Sequence, residues 1–112
     1  MKLLAASLVR AGMLIALLAL LVSAAHAKDH EVIQADRLFK PSTITVKAGD
    51  TIVFKNADSV VHNVFSTAAG DQFDLRIQKP GDATSRKFDK PGTYNVRCAI
   101  HPAMKLAITV AP

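Results

Sequence analysis

Short runs in which apolar and polar residues alternate follow one another from Glu31 to the end of the chain. A period of two places every second side chain on the same face, which predicts half-buried β-strands. Strands are predicted at residues 32–35, 43–47, 51–55, 60–65, 73–77, 84–88, 93–98 and 106–110. No stretch of this region has a helical periodicity of useful length. Seven or eight short strands with regular turns indicate an all-β fold, a β-sandwich.

Four local features refine this prediction. Pro41 cannot donate a ladder hydrogen bond, so residues 39–41 are expected to break the first strand. The turn at 48–50 contains glycine and joins two alternating runs, which predicts either a hairpin or a tight β-corner. The run 73–77 carries its apolar residues at odd positions, so these residues are expected to share one face. The short polar run 84–88 is expected at a sheet edge.

The N-terminal residues have the pattern of an export signal. Lys2 and Arg10 form a basic region, and residues 11–25 are apolar except for a glycine and a serine. Residues 25–27 then fit the small-x-small cleavage rule. The apolar run is shorter than the ~18 residues that a transmembrane helix needs. We therefore predict a signal peptide at 1–27, a mature domain at 28–112 and no membrane span after cleavage; an uncleaved N-terminal anchor is the alternative.

The charge of the mature chain argues against nucleic-acid binding. Removal of Lys2 and Arg10 leaves twelve basic residues against nine acidic ones, a net charge of +3 instead of +5. The basic residues are scattered singly, without a basic run or a set of aromatic residues for base stacking. We expect protein partners and no nucleic acid.

The candidate chemistry lies in residues 98–104. Cys98, His101 and Met104 are spaced three residues apart, and Cys98 is the single cysteine of the chain. Thiolate, imidazole and thioether together favour a soft or borderline metal, and one thiolate, two imidazoles and a weak methionine describe a blue-copper electron-transfer site. Such a site needs a second histidine. His62 is the obvious donor, because His30 is expected in the N-terminal tail.

Other interpretations of these residues stay open. A lone cysteine is often a buried, inert thiol, and a methionine often serves only core packing. Zinc is the competing metal, although structural zinc sites usually take four Cys or His ligands rather than a thioether. A β-sandwich binding module that holds no metal is a further alternative function. An enzyme is not expected, since the three histidines of the mature chain cannot build a further His-rich copper centre.

From residue 31 to residue 110 the sequence resembles the cupredoxins, the small blue copper proteins that include plastocyanin, pseudoazurin and amicyanin. The motifs that carry the resemblance are Phe-x-Pro at 39–41, the alternating run with Gly-Asp at 44–56, His-Asn at 62–63, Pro-Gly-x-Tyr at 91–94 and the loop 98–104. The short spacing of Cys, His and Met in that loop is most similar to amicyanin.

The resemblance implies a Greek-key β-sandwich, a cupredoxin-like barrel, that binds one type 1 copper ion. His62, Cys98 and His101 would be the strong equatorial ligands, and Met104 the weak axial ligand. The protein would be a periplasmic monomer that carries single electrons. Redox partners such as a c-type cytochrome or a dehydrogenase would dock near His101. A copper storage or delivery protein of the same fold is the alternative function.

Three further residues near the ligands have implied roles. Asn63 would tie the two ligand-bearing segments together by hydrogen bonds. Cupredoxins often have Ser or Thr after the cysteine, whereas this chain has Ala99, so Asn63 would find only a backbone partner on that side. Ile100 stands where short-loop members often have proline, and its N–H is expected to be available to the Cys98 sulfur.

Overall fold

The structure is a computed structural model that describes residues 26–112. The predicted signal peptide lies outside the described residues, except for its last two positions. The described part contains nine strands and no helix, as the all-β prediction requires. The strands are β1 (Asp29–Ala35), β2 (Leu38–Lys40), β3 (Thr43–Lys47), β4 (Asp50–Asn56), β5 (His62–Ser66), β6 (Phe73–Gln78), β7 (Ala83–Phe88), β8 (Gly92–Arg97) and β9 (Lys105–Ala111).

The strands form two sheets that confirm the predicted β-sandwich. One sheet has the order β2-β1-β4-β7, and the other has the order β3-β9-β8-β5-β6. β1 pairs with β4 and β3 pairs with β9 in parallel, whereas the remaining pairs are antiparallel. The chain passes from one sheet to the other five times, after β2, β3, β4, β6 and β7, and such crossovers are characteristic of Greek-key sandwiches.

The core lies between the two sheets and follows from the alternation in each strand. In β4, for example, Ile52 and Phe54 are fully buried, while Lys55 on the opposite face is exposed. Apolar area removed from water contributes roughly 25 cal/mol per Å², so this inward face is what holds the sheets together. The buried apolar residues are Val32, Phe39, Val46, Ile52, Phe54, Val64, Phe88, Tyr94, Val96, Cys98, Met104, Leu106, Ile108 and Val110.

Residues 39–41 were expected to break the first strand, and for residues 39 and 40 this prediction was wrong. Leu38–Lys40 is a short strand, β2, that pairs antiparallel with β1 at the edge of its sheet. Pro41 follows β2 directly, so its missing N–H removes no hydrogen bond from the ladder. This strand accounts for the difference between the eight predicted strands and the nine observed ones.

The turn at 48–50 is a β-corner, and the hairpin alternative is wrong. β3 and β4 follow each other along the chain but belong to different sheets. Gly49 has a φ of 96°, a left-handed conformation that glycine adopts without steric penalty. The prediction of an edge position for 84–88 is confirmed, because β7 ends its sheet.

The apolar residues at 73, 75 and 77 were predicted to share one face, and this prediction is wrong for Ile77. Arg76 has a φ of 69°, and the pairing of β5 with β6 shifts register between Asn63 and Phe65. An extra residue in one strand of a pair reverses which side chains point inward. Ile77 is accordingly 56% exposed, whereas Gln78 is 1% exposed.

Within residues 26–112, no helix has the length and apolar character that crossing a membrane requires.

Candidate metal centre

Strand β8 delivers Cys98 to the interior. Tyr94 and Val96 are buried on the inward face of β8, and Cys98 follows with the same parity directly after the strand ends. Its side chain is 1% exposed, and the thiol is free. The period of two along β8 accounts for this inward orientation.

The structure brings His62 and His101 to Cys98, as predicted. The Nδ1 atoms of the two rings lie 3.1 Å apart, and each lies 3.9 Å from the Cys98 Sγ. His62 begins β5 and is fully buried, whereas His101 lies in the loop before β9 and is half-buried. All three ligand atoms fall within 4.8 Å of one another, a separation that a single ion between them can span. Residues up to 39 positions apart thus form one cluster.

Met104 lies at the inner end of the same loop. Its side chain is fully buried, and its N–H donates to the His101 carbonyl at 2.9 Å, which closes the loop into a tight turn. Burial by itself agrees with core packing as well as with a weak ligand role. The donor set distinguishes the metals: a thiolate, two imidazole nitrogens and a neighbouring thioether fit copper, while zinc rarely uses a thioether.

Asn63 joins the two segments that carry the cluster. Its side-chain Oδ1 accepts a hydrogen bond from the Ala99 N–H at 2.6 Å, the backbone partner expected in this chain. Its own backbone N–H lies 3.4 Å from the Cys98 Sγ and donates to it. The expectation that Ile100 supplies the hydrogen bond to the sulfur was wrong, since the backbone donor is Asn63.

Asp58 is a site residue that the sequence reasoning missed. Its Oδ2 lies 2.9 Å from the His62 Nε2, on the side of the ring opposite the cluster. The hydrogen bond from His62, and after it the N–H of Arg37, lowers the pKa of Asp58 to about 2. The available signal was an acidic residue four positions before the histidine, in the polar stretch at 56–59.

His30 does not lie in a tail, and that expectation was wrong. It belongs to β1, and its Nε2 lies 2.9 Å from the Asp50 Oδ2. The Lys28 N–H donates to the other oxygen of the same carboxylate at 2.9 Å. His30 is therefore engaged by Asp50, and it is not part of the cluster around Cys98.

The surface next to His101 is apolar. Ile100 is 44% exposed, and Ala99, Pro102 and Ala103 are also exposed. These residues flank His101 in the sequence, and His101 is the one histidine of the cluster that is partly exposed. His101 is thus partly exposed, whereas the Cys98 side chain stays buried.

Comparisons with known proteins agree with this geometry. A family model described as a cupredoxin-like domain matches residues 8–110. Amicyanin-alpha of Methylorubrum extorquens is 33% identical over 92 residues, which cover 80% of this chain and 77% of that protein. The structure of a reduced amicyanin variant with tryptophan replaced by tyrosine superposes with a TM-score of 0.69 at 27% identity, over 79% of this chain and 86% of that one. A copper-containing nitrite reductase from Thermus scotoductus superposes with a TM-score of 0.72 at 25% identity, over 80% of this chain but only 24% of that larger chain.

Proposed function

Because the chain belongs to the cupredoxin-like family, we propose that it is a type 1 copper protein that carries single electrons between redox partners. The observation that carries this proposal is the convergence of one thiolate and two imidazole Nδ1 atoms within 4.8 Å. Few other metal sites combine these donors with a nearby buried methionine.

In this proposal Cys98, His62 and His101 would hold one copper ion strongly, and Met104 would be a weak fourth donor. Bound copper would supply a one-electron couple between Cu(II) and Cu(I). The chain keeps the ligands in one arrangement for both states. The hydrogen bonds of Asn63 support this role, because they tie the strand of His62 to the loop of Cys98.

With copper bound, His101 would be the route for electrons, because it is the partly exposed histidine of the cluster. The exposed Ile100, Pro102 and Ala103 form an apolar rim that suits brief docking, and redox encounters typically use small interfaces. We propose c-type cytochromes or dehydrogenases as partners and a monomer as the working form.

The proposed location is the periplasm, with residues 1–27 as a cleaved signal peptide and 28–112 as the mature domain. The sequence pattern at the N-terminus supports this division. Strand β1 begins at Asp29, which would be the second residue of the mature chain. Ligation to copper also explains how a lone thiol persists in an oxidising compartment.

We propose a carrier rather than an enzyme. The nitrite reductase neighbour shares the fold over about a quarter of its own length, so the likeness does not extend to the rest of that protein. The proposed mature chain has three histidines, and His30 is engaged by Asp50 in β1. The remaining two provide one copper centre.

A visible spectrum of the mature protein with Cu(II) tests the proposal. We expect intense thiolate-to-copper absorption near the red end of the visible range, and its complete loss in Cys98→Ser. Asn95→Ala, an exposed change in the same strand, should leave the spectrum unchanged. A colourless copper-loaded protein would show the proposal to be wrong.

Electron self-exchange measured by NMR then separates a carrier from a storage or delivery protein. A carrier exchanges electrons rapidly and retains Cu(I) when an acceptor protein is offered. Slow exchange together with ready release of Cu(I) would favour storage or delivery.

A further inference from the structure

The two histidines of the cluster are supported in different ways. His62 is fully buried, and its Nε2 lies 2.9 Å from a carboxylate oxygen of Asp58. His101 is half-buried, and its ring makes side-chain contacts only to His62 and Cys98 among the described hydrogen bonds. A carboxylate is therefore hydrogen-bonded to His62, whereas His101 has no such partner among the described residues and is partly exposed.

The carboxylate determines which nitrogen of His62 carries the proton. A neutral imidazole has one N–H, and an ionised carboxylate can only accept a hydrogen bond. The proton must therefore sit on Nε2, facing Asp58. This leaves the lone pair of Nδ1 directed at His101 and Cys98, where a metal ligand is needed.

Asp58 is itself held in place. Its Oδ2 accepts the Arg37 N–H at 2.8 Å, its Oδ1 accepts the Ser59 N–H at 3.1 Å, and its own N–H donates to the Asn56 Oδ1 at 2.9 Å. Arg37 has a φ of 55° in the turn between β1 and β2. The turn thus places a backbone donor on the carboxylate, and the side chain is only 14% exposed.

We propose that Asp58 is a positioning residue for the copper centre, which fixes the Nε2–H tautomer of His62 and stabilises Cu(II) relative to Cu(I). This inference rests on the proposed function. A negative charge hydrogen-bonded to a ligand makes that ligand more basic, and the more highly charged metal state gains more from it. The β1–β2 turn contributes indirectly, through its hydrogen bond to Asp58.

The test compares Asp58→Asn, which keeps the shape but removes the charge, with Asp36→Asn. Asp36 lies next to Arg37 in the same turn, is exposed and pairs with Lys40, so its loss removes an equal charge without touching His62. Voltammetry should show a higher potential for Asp58→Asn than for Asp36→Asn. A tenfold fall in the preference for Cu(II) over Cu(I) corresponds to a rise of ~59 mV for one electron.

A second measurement does not need copper. Nitrogen-15 NMR of the metal-free protein should show His62 with its proton on Nε2, and a mixture of tautomers in Asp58→Ala. Copper affinity of Asp58→Ala should fall by roughly 10- to 100-fold, the usual effect of losing such a partner.

Equal potentials for Asp58→Asn and Asp36→Asn, together with an unchanged tautomer in Asp58→Ala, would overturn the inference. The blue spectrum of the unaltered protein would then still support the proposed function. A colourless unaltered protein would instead refute the proposed function, and the tautomer in the metal-free protein would still decide the role of Asp58. If Asp58→Ala does not fold, the comparison of Asp58→Asn with Asp36→Asn decides the inference alone, and equal potentials overturn it.

Discussion

Replacing Asn63 with alanine removes the side-chain oxygen that joins the His62 strand to the Cys98 loop. In the unaltered protein this Oδ1 accepts the Ala99 N–H at 2.6 Å, and Asn63 is 9% exposed. An unsatisfied buried donor costs roughly 1–3 kcal/mol. Ala99 is exposed, so water can partly replace the lost acceptor, and we expect the lower part of that range, about 1–2 kcal/mol.

The unfolding free energy of the metal-free protein measures this loss directly. The metal-free form is needed because any ligand that binds the folded state adds its own stabilisation. In a domain of this size about 1 kcal/mol corresponds to a shift of roughly 4–8 °C in melting temperature, so Asn63→Ala should melt about 4–16 °C lower. Urea titration at constant pH gives the free energy independently.

Asn95→Ala is the matched control. Asn95 is exposed on β8, and its side chain makes no hydrogen bond among the described residues, so its removal should change stability by less than about 0.5 kcal/mol. Equal unfolding free energies for the two variants would show that the hydrogen bond to the Asn63 Oδ1 contributes no stability. The backbone hydrogen bond from Asn63 to the sulfur is kept in Asn63→Ala, so the blue colour should survive even though the loop is less firmly held.

Three further predictions concern residues away from the cluster. The Lys28 N–H is the strongest of the donors that hold the pKa of Asp50 far below its ordinary value. Stabilisation from such a carboxylate is present above its unfolded pKa and lost as the pH falls, so thermal melts of Asp50→Asn should differ most from the unaltered protein at neutral pH and converge in acid. The Tyr94 hydroxyl lies 2.6 Å from an oxygen of Asp71, and calorimetry of Tyr94→Phe should show a loss of about 1.5–3 kcal/mol, the range for a hydrogen bond to a charged group. Leu106→Ala, in the core, should lower the urea unfolding free energy by about 2–5 kcal/mol; a smaller loss would mean that the core collapses around the cavity.

Much of the candidate site could be predicted because its chemistry is local in sequence. Three donors of different types lie within residues 98–104, and that donor set points to one class of metal. His62 followed from the need for a second imidazole, and the structure places it at 3.1 Å from His101. Asp58 was missed because its relevance depends on the direction of the His62 ring. No pattern of apolar and polar residues encodes that direction.

Alternation along each strand determined the all-β class, the inward face of β4 and the burial of Cys98. A period of two is a property of the extended backbone itself, so it needs no knowledge of neighbours. The polar composition of 84–88 predicted its edge position, because charged side chains on a short strand disfavour further pairing.

The tertiary structure alone decided which strands pair and where the pattern is interrupted. The turn at 48–50 is compatible with a hairpin or a corner, and only the parallel pairing of β3 with β9 and of β1 with β4 makes it a corner. The left-handed Arg76 reverses the faces of Ile77 and Gln78 through its register with β5. The sulfur receives its backbone hydrogen bond from Asn63, 35 residues away, instead of from the adjacent loop. Each of these features depends on contacts between distant segments, whose free energy appears only when the two sheets pack together.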